Sequence, residues 1–434
     1  MPSTPAAAST PPDTKDFRRV LAGEGISNFG SMLSRLALPW LATLALDATP
    51  LQMALLLVAD VAAGAAGALL LGTLVDRTAK RTVMISTDVL RAALLCALAV
   101  LAWANLLSIW LLAAAAALSG ALGVAFELAR SAWVAESADA KRLPARNAQL
   151  SAVGSLSETL AFALGGWLYQ LLGAVLALAV DAFSYLLSAL CLVGVRSGRD
   201  KASAAAGGRD AGRDGPAAHG EAARGDASRR RLGFVDETLS GIAVIRATPQ
   251  LRALATLEIL LALAGSLAGT SYMIYVARDL AFSTGTLGMI FATGGLGAIA
   301  GAALAPRLAQ RIGSGNAMTL GLVAAALGTL CIPLAPGATV VGAALLVAHQ
   351  IVGDGGVTLF EVHDRTLRQT LVAPELLARV DGGLRSLGRL ATLAGALAGG
   401  ALATALGARF AIGVMVALLG LAALVAHHRL RHQR

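Results

Sequence analysis

Gly72-Thr73-Leu74-Val75-Asp76-Arg77-Thr78-Ala79-Lys80-Arg81 is a short knot of charge between two long apolar runs, 51–75 and 82–104. Each run has the roughly 20 apolar residues that a helix needs to cross a bilayer. The turn between them holds three cations and one acid. Short loops rich in Lys and Arg stay on the cytoplasmic side. The stretch therefore predicts a cytoplasmic loop joining two transmembrane helices.

The rest of the chain agrees with that reading. Of 434 residues, 56% are hydrophobic and only 14% charged, against about 25% charged in a soluble domain. A transmembrane β-barrel would show alternating segments of about 10 residues, and none is present. The composition thus predicts an all-α, polytopic membrane protein. A net charge of +9 in a soluble protein would point to nucleic acid. Here the cations cluster in the loops, so they read as topology determinants and no nucleic-acid partner is expected. Cys96, Cys191 and Cys331 lie inside apolar runs, with neither a disulfide framework nor a metal-ligand spacing. No metal or cofactor is expected.

Apolar runs recur at 18–46, 51–75, 82–104, 107–129, 147–169, 173–195, 251–277, 285–306, 316–335, 338–361, 380–404 and 407–427. The connections alternate in charge. Turns near Asp47, Asn105, Gln170 and Pro336 lack Lys and Arg, and only Arg278 and Arg409 fall on their side. Lys15, Arg18, Arg77, Lys141, Arg146, Arg307, Arg365, Arg379 and Arg429 are among the many cations on the other. Both termini are therefore predicted to be cytoplasmic, with an even number of spans, about twelve. The expected organisation is a disordered tail at 1–17, a six-helix bundle at 18–195, a cytoplasmic linker at 196–250, a second six-helix bundle at 251–427 and a basic tail at 428–434. The tail at 1–17 lacks the basic-then-apolar order of a signal peptide. The linker begins as a Gly/Ala/Arg/Asp stretch that cannot build a core. It ends in an amphipathic segment, 232–248, expected on the membrane surface.

The halves read as repeats. Arg77 pairs with Arg307 and Gly72 with Gly301, which leaves Ala305 in place of Asp76. Glu127 and Ala145-Arg146 correspond to Glu361 and Ala378-Arg379, and Gly165-Gly166 to Gly399-Gly400. Two six-helix bundles related by a pseudo-two-fold axis, with a binding site between them near the midplane, are a transporter layout.

Ionisable residues within a span are costly and tend to face a cavity or one another. Asp88 and Arg91, at i and i+3, are expected to pair on one helix. Arg35 and Asp60 lie at similar depth and predict a second pair. Asp354 and Arg385 predict a third, with Asp381 competing for Arg385 at i+4. Glu158, Asp181, Glu258 and His349 have no obvious partner. Carboxyls and histidine inside a membrane are the groups that relay protons. Proton or substrate coupling is accordingly assigned to Glu158 first, then to Asp60 and His349, with Arg35, Asp181 and Asp354 in the same set. Gly295-x-Gly297-x-x-Ala300 sits in an apolar span without a strand–helix–strand context, so it is no dinucleotide site. There is no phosphate-binding Gly-Lys-Ser/Thr, no Gly-x-Ser-x-Gly and no His-Glu-x-x-His. Neither ATP-driven transport nor an enzyme is expected.

The pattern Gly-x-x-x-Asp-Arg-x-x-[Lys/Arg]-Arg between two spans resembles the loop signature of the major facilitator superfamily. Ile26-Ser-Asn-Phe-Gly30 with Ala37-Leu-Pro39, Phe126-Glu-x-x-Arg130, Asp181-Ala-Phe-Ser-Tyr185, and the run from Thr366 to Val380 resemble its twelve-span drug:proton antiporter branch. That branch includes macrolide-efflux proteins and siderophore exporters. The resemblance implies a secondary active exporter of the cytoplasmic membrane, exchanging an amphipathic small molecule for protons by alternating access, and working as a monomer. It implies a gating motif of Gly72, Asp76, Arg77, Lys80, Arg81, Glu127 and Arg130, in which Asp76 packs against the opposite half. Ala79 stands where the family loop has glycine, and Ala161-Phe162-Ala163-Leu164-Gly165-Gly166 lacks the proline of the antiporter signature. Two other readings remain open: a dedicated exporter of a siderophore or other secondary metabolite, and a membrane sensor or assembly partner that transports nothing.

Overall fold

The computed structural model describes residues 12–137, 143–195 and 234–431. The expected disordered tail (apart from 12–17), most of the linker and the end of the basic tail lie outside the described residues. What is described is helical, without a strand. In chain order the helices are α1 (Pro12–Trp40), α2 (Pro50–Arg77), α3 (Lys80–Trp103), α4 (Ile109–Ser137), α5 (Leu143–Val193) and α6 (Phe234–Ala247). They continue with α7 (Pro249–Ile274), α8 (Thr284–Ile312), α9 (Ser314–Leu334), α10 (Val340–Ala348), α11 (Gly355–Leu371), α12 (Pro374–Leu406) and α13 (Ala408–Leu430). Three π-helical turns, Leu41–Ala45, Tyr275–Asp279 and His349–Asp354, follow α1, α7 and α10.

Ten helices among the described residues are long and apolar enough to cross a membrane. The expected spans 18–46 and 147–169 are helical, within α1 and α5, and each includes residues whose side chains lie outside those described. Local signals set several ends. Ser283 caps α8 by accepting from the Thr286 amide at 3.3 Å, and Thr339 caps α10 by accepting from the Gly342 amide at 3.1 Å. These bonds satisfy amides that a helix N-terminus leaves open. Gly173 breaks α5 at φ 72°, and Gly407 joins α12 to α13 at φ 88°. Only glycine enters that region without a steric cost.

The chain forms two compact units. One comprises 1–38, 62–165 and 172–213; the other comprises 39–61, 166–171 and 214–434. In the first, Phe17, Val20, Met84, Phe126, Trp133 and Leu192 share one core. In the second, α7 packs on α12 and α13, and α9 on α11 and α13. Leu251, Leu254, Leu257, Met318, Leu322 and Phe360 fill the space between them. Ile245 of α6 joins this core beside Val380 and Leu384. Part of the apolar face expected on the membrane surface is therefore covered by α12, while Leu239 stays exposed. Large apolar side chains also stand on the outside of the helices, such as Leu70, Trp103, Trp110 and Val340. That is the surface a hydrocarbon solvent favours.

Local geometry repeats at a fixed spacing of 234 residues. The π turns begin at Leu41 and Tyr275. Left-handed residues follow at Asp47 and Ala281, and again at Gly173 and Gly407. A Cβ on Gly67 would meet Ala121, and one on Gly301 would meet Gly355, so the same two helices touch at the same place in each half. This spacing corrects the register read from the sequence. The counterpart of Gly301 is Gly67, not Gly72. Arg77 answers to Arg311, not Arg307, and Gln310, not Ala305, stands at the position of Asp76. The acid is still lost in the second copy. The error arose because an apolar helix tolerates a slip of one turn without disturbing its hydropathy pattern.

Candidate functional site

The charged loop itself is built as a helix cap. Gly72, Asp76 and Arg77 continue α2 as backbone, and their side chains lie outside those described. Lys80 Nζ donates to the Val75 carbonyl at 2.8 Å. Arg81 donates from Nε to the Leu192 carbonyl at 3.2 Å and from Nη2 to the Val193 carbonyl. Arg19 of α1 donates to the next carbonyl, Gly194. Two guanidinium groups thus satisfy the open carbonyls at the C-terminus of α5, where the helix dipole also favours positive charge.

Arg130 is also placed differently from the motif reading. It forms an ion pair with Glu24 of α1, and Asn28 one turn on donates to the same Glu24 oxygen at 3.2 Å. Glu127, on the same turn of α4, is exposed. Glu24 is 5% exposed and was not singled out in the sequence. Its signal was that it is the one acid within the expected span 18–46.

Asp181, on the second arm of α5, is buried, and Ser184 donates to its Oδ1 at 3.2 Å. Gly30 of α1 makes room: a Cβ there would strike Asp181 and Ser184. Ser31, the next residue, is 2.7 Å from the Tyr185 hydroxyl. Asp88 of α3 is fully buried. The expected helical pair with Arg91 does not form as an ion pair. The Arg91 guanidinium lies instead over the rings of Tyr185 and Phe126, 5.2 and 5.9 Å from their centroids. It extends to Gly123 of α4, where a Cβ would collide with Nη2. Glu158 and Arg35 are exposed on the protein surface of the same unit.

In the second unit the third π turn carries His349, Gln350 and Asp354. An extra residue in a helical turn re-aims side chains and often marks a functional site. His349 is 5.9 Å, edge-on, from the ring of Tyr272, which stands 5.9 Å from Phe291. Gln350 donates to the Phe291 carbonyl at 3.3 Å. Asp354 faces Gly294 of α8, where a Cβ would meet its Oδ2. His349 and Asp354 are thus brought to one face by the π turn. Asp60 is half-buried in this unit, whereas Arg35 belongs to the other.

Arg368 replaces the expected Asp354–Arg385 pairing as the ionic link in this half. It reaches Asp364 one turn away at 2.6 Å and Asp381 of α12 at 3.0 Å. Beside it lies a cavity of about 430 Å³ lined by Glu258, Arg365, Arg368, Gln369, Asp381 and Arg385, with Leu377 and Leu384. No group of three or more His, Cys, Asp or Glu among the described residues could hold a metal ion.

Long apolar helices, charge held inside the helical units and a polar cavity define a multi-pass membrane transporter. A model of the Major Facilitator Superfamily matches residues 20–362. The chain belongs to that superfamily of secondary transporters. No curated protein sequence matches it. Several solved transporters are similar in fold. Nucleoside transporter NupG superposes with TM-score 0.65 at 14% identity, over 96% of this chain and 98% of that one. A bacterial homologue of iron transporter ferroportin in an inward-facing state gives 0.67 at 16%, over 96% and 98%. A bacterial homolog to the human lysosomal transporter Spinster gives 0.68 at 14%, over 98% and 99%.

Proposed function

We propose that this transporter is a proton-coupled exporter of an amphipathic small molecule, with twelve spans, both termini in the cytoplasm and alternating access between its halves. The observation that carries the coupling is Asp181, a carboxyl 1% exposed on a helix built to cross the membrane. Such a group is retained at a cost of several kcal/mol unless it is paired or protonated, and binding a proton is the simplest use for it. Asp354 and His349 on one π turn are the titratable groups of the second unit assigned to the same task, at positions that are not the repeat counterparts of Asp181. Transport in inverted membrane vesicles tests the reading. A drug panel should be taken up when the lumen is acidified, and collapse of the pH gradient should abolish uptake. Uptake that ignores the gradient, or an Asp181→Asn variant that keeps full proton-driven flux, refutes it.

A second cargo class is favoured by one observation. The cavity beside Arg368 is lined mainly by charged and amide side chains, and aromatic residues are only 4% of the chain. Both suit a polar, hydroxyl- or carboxylate-bearing metabolite such as a siderophore better than a flat aromatic drug, which stacks on aromatic faces. Including siderophores in the same vesicle panel separates the two.

A further inference from the structure

Among the described residues, the first unit holds two fully enclosed carboxyls, with one guanidinium facing both. Asp88 is 0% exposed and Asp181 1%. The charged groups facing Asp88 are Arg91 on its own helix, Glu24 on α1 and Asp181 on α5, with Ser188 on α5. Those facing Asp181 are Arg91, Ser34 and Ser184. Glu24 is already matched by Arg130. Among the described residues, Arg91 alone is left to balance Asp88 and Asp181.

Several unfilled hydrogen bonds lie in the same place. Neither oxygen of Asp88 completes a hydrogen bond, nor does Arg91 Nε. The hydroxyls of Ser188 and Ser34 are also buried without a partner. Ser188 faces Asp88 and Ser34 faces Asp181. With both acids ionised the cluster would hold one uncompensated negative charge in an apolar interior, which costs several kcal/mol. With both protonated, Arg91 would be the uncompensated ion. One proton for the two carboxyls is the only neutral count.

We infer that Asp88 and Asp181 share a single exchangeable proton around Arg91, making this cluster a one-proton binding site. Both carboxyls face the same Arg91 guanidinium, so ionising one changes how readily the other ionises. Loss of the proton leaves one carboxylate unbalanced, and that state is favoured only when water reaches it. Protonation and water access to the cluster are therefore linked, as a ligand is linked to the state it binds. In the exporter proposed above, an inference that rests on that reading, this is the site through which one proton per cycle would be exchanged.

Infrared difference spectroscopy of the purified protein in lipid tests the shared proton without any cargo. The wild type should show a carboxylic-acid C=O stretch that titrates with an amplitude of one group. Asp88→Asn and Asp181→Asn should each abolish it, because the remaining carboxylate then pairs with Arg91. A band that survives in both variants, or that falls by half in each, overturns the inference. If either variant fails to fold, labelling of the wild type with dicyclohexylcarbodiimide, which attacks protonated carboxyls in apolar surroundings, decides the matter. One adduct per chain, on the Asp88 or the Asp181 peptide and lost at alkaline pH, supports it. No adduct on either peptide overturns it. A cluster that titrates in this way in a protein whose flux ignores the pH gradient supports the shared proton and refutes the exporter reading.

Discussion

Arg278 Nη2 stands 3.1 Å from Asp47 Oδ1, joining the two copies of one backbone motif 234 residues apart. The same guanidinium donates to the carbonyls of Thr43 and Ala48, the latter at 3.4 Å. A π turn followed by a left-handed residue leaves carbonyls out of the regular helical ladder, and Arg278 occupies them. The copies are not interchangeable. Leu44 stands at the position of Arg278 in the first copy, and Ala281 at that of Asp47 in the second.

Arg278→Ala is expected to release this clamp. Charge-assisted hydrogen bonds are worth about 1.5–3 kcal/mol each. Thr43, 0% exposed, should then become reactive. In a background with Cys96, Cys191 and Cys331 replaced by serine, maleimide labelling of Thr43→Cys should accelerate at least about tenfold, the equivalent of 1.4 kcal/mol. Asp47→Asn should change it little, since the Asp47 side chain is 92% exposed and an exposed pair is worth at most about 1 kcal/mol. Equal effects of the two variants would show that the carboxylate, not the carbonyl cage, holds Arg278.

Glu24 and Arg130 should behave as a buried ion pair. Arg130→Ala leaves Glu24 enclosed and unpaired, and should destabilise the protein by about 3–5 kcal/mol. The double variant Glu24→Gln/Arg130→Met should cost clearly less. Thermal unfolding in detergent, arranged as a double-mutant cycle, reads the difference. A double variant less stable than Arg130→Ala contradicts the pairing.

Glycines of α8 should tolerate no side chain where the helix meets the third π turn. A Cβ on Gly297 would strike the Gln350 and Ile351 carbonyls, and one on Gly301 the Gly355 carbonyl. Gly297→Ala and Gly301→Ala should each cost a few kcal/mol, as overpacking does. Gly265 and Gly413 have nothing within 4 Å of the same position. Their alanine variants should be neutral or slightly stabilising, because alanine is the better helix former. Yield of monodisperse protein after heating ranks the four.

Arg81→Gln removes two donors from the carbonyls of Leu192 and Val193. The loss should be about 1 kcal/mol and should be partly restored in Arg81→Lys, which keeps the charge. A loss of transport with unchanged unfolding temperature would mean that Arg81 acts in gating and not as a cap.

Helical class, most spans and the presence of a repeat were legible in the residues. Apolar runs of 20 or more have one stable solution in a bilayer, because every backbone group must be satisfied within the segment. The charged turn 72–81 was recognisable for the same reason: charge so dense cannot lie in hydrocarbon. The repeat was visible at Glu127 and Glu361 and at Gly165-Gly166 and Gly399-Gly400, which the structure relates by the same 234 residues. The register of α2 against α8 was not, since either alignment puts apolar residues on apolar residues.

Partners were decided only by the tertiary structure. Hydropathy tells how deep a charge lies, and helical spacing tells which residues share a face. Neither tells how a helix is rotated towards its neighbours. Asp88 and Arg91 share a face, yet Arg91 turns to Tyr185 and Phe126 because Gly123 leaves a gap for it. Arg130 reaches Glu24, over 100 residues away in the chain, and Arg81 reaches the end of α5. The sequence by itself determined that this chain enters the membrane as helices with charge inside them. Which acid meets which cation depended on side-chain gaps that appear only when the helices pack.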